Sequence, residues 1–153
     1  MGGDYVRLNI DCVRDILLCI ENIIEPRQYA FFHDTDLLED TKFLYLNEAD
    51  MPKPSSYQNE LLAKYPNKEL IYHLNYCVKA NLIELLEDST PTTIIVNDLT
   101  PKGHDFIENI RYDSVFEKTK QICKDLGVKS LSSFVAVAEN VTSEIIKSYF
   151  ISS

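Results

Sequence analysis

Residues 99–111, LTPKGHDFIENIR, hold the side chains that most invite a chemical reading: Gly103, His104, Asp105, Glu108 and Arg111. A histidine among carboxylates is the raw material of general acid–base catalysis near neutral pH. Such a base needs a nucleophile or a substrate pocket around it, and neither a glycine-rich phosphate loop nor a second ligand lies nearby in the chain. A helical reading accounts for each residue without chemistry. Thr100 is a natural N-cap, and Pro101 sits at the first helical position, where a missing N–H costs nothing. Gly103 falls one turn before Ile107 and two before Ile110, so a small residue there lets a neighbouring hairpin approach. His104, Glu108 and Arg111 share an adjacent face, where they can bond one another or nearby backbone. No catalytic residue is assigned, and the chain is expected to be non-enzymatic.

The remaining histidines, His33 and His73, and the four cysteines, Cys12, Cys19, Cys77 and Cys123, are far apart in the chain, with no Cys-x-x-Cys pair. That spacing predicts reduced, packed thiols with neither disulfides nor a metal site. No cofactor motif is present.

A chain of 153 residues suffices for one domain with its own core, read as 1–153. No apolar run approaches the roughly 20 residues that span a bilayer. The N-terminal sequence lacks a basic-then-apolar leader, and Val6 stands where myristoylation favours Ser or Thr, so a cytoplasmic, membrane-free protein is expected. The net charge of −9 repels a polyanion at long range. Residues 1–55 hold 5 basic and 11 acidic side chains, 56–112 hold 5 and 8, and 113–153 hold 5 and 5. The acid is therefore concentrated in the first third.

Asn9 caps a segment in which Ile10, Val13, Ile16, Leu17, Ile20, Ile23 and Ile24 repeat at helical spacing as far as Pro26. Residues 27–41, with HDTD followed by LLED, read as a loop. KFLYLN at 42–47 reads as a strand and MPKPSS at 51–56 as a linker. Residues 57–65 predict a short helix stopped by Pro66, and Asn67 is expected to cap a second one over 67–82. Its inner stripe is Leu70, Leu74, Cys77 and Val78, and its outer face is Lys68, Tyr72, Tyr76 and Lys79 with Asn75 at the edge. LIELLED (82–88), the STPT turn and TIIVN (93–97) form a hairpin. Further helices follow Thr100, Ser114 and Ser130. Ser114 and Glu117 make a capping box, and Gly127 is a stop. The last helix carries Leu131, Phe134, Ala138, Val141, Ile145 and Tyr149 on one stripe.

Helix, strand, helix, turn, helix, hairpin, helix is the order of a winged helix-turn-helix. The fold expected is mainly α with a small β-hairpin, a winged-helix core over 8–112 and a helical extension over 113–153. Three blocks, LNIDCVRDILLCIE (8–21), LIYHLNYCVKANLIE (70–84) and LTPKGHDFIENIRYDSVFEKTK (99–120), resemble the prophage and bacterial proteins grouped as domain of unknown function 2513. The Leu-Thr-x-x-Gly-His-x-Phe element followed by Ile-Arg is the most specific part, and Phe116 stands where members often carry Trp. The resemblance implies a winged-helix-like fold and no established activity. More loosely, the same blocks are similar to winged-helix regulators of the multiple-antibiotic-resistance type. There a glycine ends the recognition helix, and here Asn81 takes that place.

The implied function is regulatory DNA binding, with Lys68, Tyr72, Asn75, Tyr76 and Lys79 facing the major groove. The hairpin weakens it, because Glu87 and Asp88 occupy a tip where DNA-contacting wings carry Lys or Arg. The alternative is an acidic protein-interaction module on the same fold, engaging a host or phage protein. The C-terminal helix has two readings, covering the open side of the winged helix within one chain or pairing with its copy in a homodimer, and the homodimer is the one favoured.

Overall fold

The computed structural model describes residues 7–24 and 28–151. Helix α1 spans Ile10–Ile23. Its Asn9 cap accepts from the Cys12 amide, and Cys12, Val13, Ile16, Leu17 and Ile20 are fully buried. Burying each of the larger aliphatics stabilises the fold by roughly 1.5–3 kcal/mol. The expected stop at Pro26 lies outside the described residues. Asn9 also binds α4 (Asn67–Lys79): its amide N–H donates to His73 Nε2 at 2.7 Å and its side chain donates to Glu69 Oε1 at 2.7 Å. His73, fully buried, donates from Nδ1 to the Glu69 carbonyl at 2.8 Å, so both ring nitrogens are satisfied.

Strand β1 is Ala30–His33, and helix α2, Thr35–Asp40, follows it after an Asp34 cap. Both fall where the sequence reads as a loop. The segment expected to be a strand, 42–47, is instead a 3-10 turn at Lys42–Leu44 followed by a bend, with Phe43, Leu44 and Leu46 in solvent. The reason is partnership. Ala30 and Phe32 alternate inward and pair antiparallel with β3 (Thr93–Leu99), Ala30 opposite Val96 and Phe32 opposite Ile94. The outer edge of β1 is closed by side chains of α3 (Ser56–Leu62). Tyr57 Oη accepts from the Phe31 amide (2.8 Å) and donates to its carbonyl (3.1 Å); Gln58 does the same for His33 at 2.9 and 2.7 Å. Buried Gln58 thus acts as a short surrogate strand, shielding an edge that would otherwise offer unpaired backbone.

Asn67 is not a cap. It is the first helical residue after Pro66, and its side chain donates to Asp34 and Asp36 while accepting from the Thr35 amide. Within α4, Leu70, Leu74 and Cys77 are buried as expected, with His73 the unforeseen fourth member and Val78 only partly covered. The helix ends in a Schellman motif: Leu82 N–H bonds the Cys77 carbonyl, Asn81 N–H bonds the Val78 carbonyl, and Asn81 takes φ of 61°.

Strands β2 (Ile83–Leu85) and β3 form the hairpin, with a bulge at Glu84/Leu85, and the sheet order is β1-β3-β2. Helix α5, Pro101–Ile110, begins on the Thr100 cap, whose side chain accepts from the Gly103 amide. Helix α6 is Asp113–Leu126. The Ser114–Glu117 capping box does not form, because the cap position falls two residues earlier, at Tyr112, and Ser114 is already inside the helix. Gly127, at φ 71°, ends it with a second Schellman motif. Helix α7, Leu131–Ile151, packs against α5 and α6. Phe134 stands edge-on to Phe106 and Phe116. The expected apolar stripe of α7 is buried only as far as Val141; Ile145 and Tyr149 are exposed. The protein is thus mainly helical with a small antiparallel sheet, and its topology is compatible with a winged helix-turn-helix carrying an inserted α2 and two C-terminal helices.

A Cβ on Gly103 would lie 2.0 Å from the Leu82 carbonyl oxygen, which backbone cannot yield, whereas one on Gly127 meets nothing within 4 Å. Gly103→Ala should therefore destabilise by about 3 kcal/mol, the upper end of overpacking costs. Gly127→Ala should cost only about 1 kcal/mol through its left-handed backbone. Urea titrations of both variants check the order; equal midpoints would refute it.

Candidate macromolecular interface

The 99–111 stretch resolves into structural contacts. His104 Nε2 lies 3.3 Å from Asp98 Oδ1 rather than bonding Glu108, and both partners are about half exposed. Arg111 bonds Glu108 at 3.1 Å and grips Glu21 of α1 with two bonds of 2.8 Å. These bonds hold the Glu21 carboxyl below its ordinary range and keep Arg111 charged. Arg14 of α1 donates to the carbonyls of Ile110 and Arg111, pairs with Asp113, and stacks over Phe116 at 4.5 Å. A cation thereby closes the C-terminal end of α5. The Ile-Arg element followed by an aromatic is a clamp between α1, α5 and α6.

The cysteines are free thiols. Burial pushes Cys19 up to about 11 and Cys77 up to about 12, so neither holds a thiolate near neutral pH. Among the described residues no group of three or more His, Cys, Asp or Glu could hold a metal, and no helix is long and apolar enough to cross a membrane.

The outer face of α4 is what remains. Lys68, Tyr72, Asn75 and Lys79 are exposed on it, Tyr72 at 39%. Tyr76 is different: it is half-buried against the core and meets the Tyr72 ring edge-on at 5.8 Å. Four of the five expected residues are therefore solvent-exposed, and the fifth packs on one of them.

Sequence reasoning missed the neighbour. Helix α2 packs on the start of α4, and Asp34, Asp36 and Asp40 share a shallow concavity of about 370 Å3 with Lys68, Tyr72 and Asn75. The signal was HDTDLLED itself, where an Asp two residues before another suits a helix cap and first turn. The hairpin adds no compensating cation. Residues 80–101 contain no Lys or Arg, and Glu84, Glu87 and Asp88 are exposed. Its tip is closed internally, with Ser89 Oγ accepting from the Ile95 amide and Thr90 receiving Thr93.

Paired helices backed by a β-ribbon, with one face of α4 in solvent, are the architecture that surrounds these residues. The family model described as hypothetical protein (DUF2513) matches residues 7–129, and the chain belongs to that family. No curated protein and no solved structure matches the chain.

The Glu21–Arg111 bridge sets a pH dependence. A carboxyl held below its unfolded value contributes stability that is present above the ordinary carboxylate range and is lost as pH falls through the lower, folded value. Glu21→Gln should cost about 1 kcal/mol at neutral pH and flatten the acid limb of a stability profile. An unchanged acid limb, measured by denaturation from neutral pH downward, would count against this role for the bridge.

Proposed function

We propose that this protein is a non-enzymatic winged-helix module that acts by occupying a protein partner, a host or phage protein, through the α4 face and its acidic surround. The observation that carries the reading is the placement of Asp34, Asp36 and Asp40 beside the N-terminal half of α4. In a winged helix bound to duplex DNA that half enters the major groove, between two rows of phosphates. Three carboxylates there repel the phosphates that supply most of the affinity, and neither the hairpin nor the net charge of −9 offsets them. A basic protein surface meets the same carboxylates favourably, with Tyr72 as an amphipathic anchor.

DNA binding is the second reading, supported by the alignment of Lys68, Tyr72, Asn75 and Lys79 on one exposed helix face. A homodimer through the end of α7 is compatible with either, since Ile145, Ile146 and Ile151 are exposed there.

A gel shift on fragments of host and phage genomes, titrated with salt, separates the readings. Under the protein reading the wild type retains no fragment at low salt, and Asp36→Asn with Asp40→Asn creates salt-sensitive retention that Lys79→Glu then removes. Retention by the wild type, with a salt slope reduced by about one on Lys79→Ala, would instead establish the DNA reading.

A further inference from the structure

A groove of about 930 Å3, lined by no residue of α4, runs between the start of α1 and the α6–α7 turn. Its floor is apolar, formed by Leu8, Ile10, Val128 and Phe134. Its rim is cationic, with Arg7, Lys120, Lys124 and Lys129 against one acid, Glu117. Lys120 is engaged by Asp11 and Glu117. Arg7, Lys124 and Lys129 make no ion pair among the described residues. Cations without an ion-pair partner among the described residues, set over an apolar floor in a chain of net charge −9, suit something both acidic and apolar.

One segment of this same chain has that chemistry. Residues 43–50, FLYLNEAD, present Phe43 (77% exposed), Leu44 (69%) and Leu46 (107%) beside exposed Glu48 and Asp50. The segment is held in shape. Thr41 Oγ1 donates to the Leu37 carbonyl at 2.8 Å, the Leu44 amide to Thr41, and the Tyr45 amide to Lys42. The nearby cation, Lys42, is already paired with Glu39 at 2.8 Å. Three apolar side chains displayed on a hydrogen-bonded turn gain burial on docking while little further conformational freedom is lost.

We propose that residues 43–50 of one copy dock in the Arg7–Lys124–Lys129 groove of a second copy. Phe43, Leu44 and Leu46 cover the apolar floor, and Glu48 and Asp50 face the cationic rim. The surfaces are different patches, so the contact is heterologous unless two copies exchange segments reciprocally, which closes a two-fold dimer with two such contacts. The docking is distinct from the α4 face and does not depend on its partner.

The test uses the full chain and a fluorescein-labelled peptide of residues 41–52. Fluorescence anisotropy should show saturable binding that weakens with salt, and Lys124→Glu with Lys129→Glu should reduce affinity by about tenfold or more. Phe43→Ser with Leu46→Ser should abolish concentration-dependent self-association in sedimentation while leaving peptide binding intact. All four positions are exposed, and circular dichroism with thermal melting confirms that each variant is folded. Mixing the groove variant with the segment variant should restore a dimer holding one contact. Absence of peptide binding, or equal binding to the charge-reversed groove, overturns the proposal. So does self-association that survives both pairs of substitutions but is lost on Ile146→Lys, since it would place the contact on α7.

Discussion

The first turn of α5 rests directly on the backbone of Asn81 and Leu82, and the relative placement of every element around the sheet follows from that approach. Thr100 donates its amide to the Leu82 carbonyl at 3.0 Å and its hydroxyl to the Asn81 carbonyl, while Gly103 leaves no Cβ to strike the same Leu82 oxygen. Asn81 supplies the left-handed turn that brings this backbone into position. Three short-range choices, a left-handed Asn, a hydroxyl cap and a glycine, therefore fix how the end of α4, the root of the hairpin and the start of α5 meet. Because α4 is locked at this end and tied at the other through Asn9, Glu69 and His73, its outer face is presented at a fixed angle. Interfaces of this rigidity avoid part of the ordering cost of association.

Elements whose signals are local were legible in the sequence. Helix α1 announced itself by a cap and a repeat, α5 by Thr-Pro and Gly103, and the hairpin by a β-branched run behind a turn. Even the left-handed Asn81 followed from side-chain chemistry. What escaped was decided by contacts between distant residues. Strand β1 has four residues, and its identity rests on Val96 and Ile94 on one side and on Tyr57 and Gln58 on the other. KFLYLN has the better strand composition, but the side of β3 left open by β2 is taken by β1. Asn67 has the ideal residue type for a cap and is used as a bridge to α2, a role that depends on Asp34 and Asp36 having folded against it.

The candidate interface was half legible for the same reason. Periodicity placed Lys68, Tyr72, Asn75 and Lys79 on one face correctly, since that follows from helix geometry alone. It could not supply the electrostatic setting, which belongs to α2, a helix the sequence pattern did not disclose. Tyr76 shows the finer limit: at the boundary of a helix face, burial is decided by what packs alongside. The acidic total also conceals polarity. Acid gathers on α2 and the hairpin tip, while Arg7, Lys124 and Lys129 line a groove between the start of α1 and the end of α6, so the molecule offers opposite-sign surfaces despite its net charge.

Helix α7 extends the physical unit past the residues that define the family. The family match stops at residue 129, yet Leu131, Phe134 and Ala138 are buried in the same apolar cluster as Ile107, Ile110 and Phe116. Phe134 contacts the rings of Phe106 and Phe116, and Arg14 and Lys120 lie over the Phe116 ring. A helix at this position therefore completes the core instead of hanging from it, and Phe134 also floors the cationic groove. Beyond Val141 nothing in the cluster calls for more helix, and the chain continues with Ile145 and Ile146 in solvent. The inner half of α7 is thus explained by the core it completes.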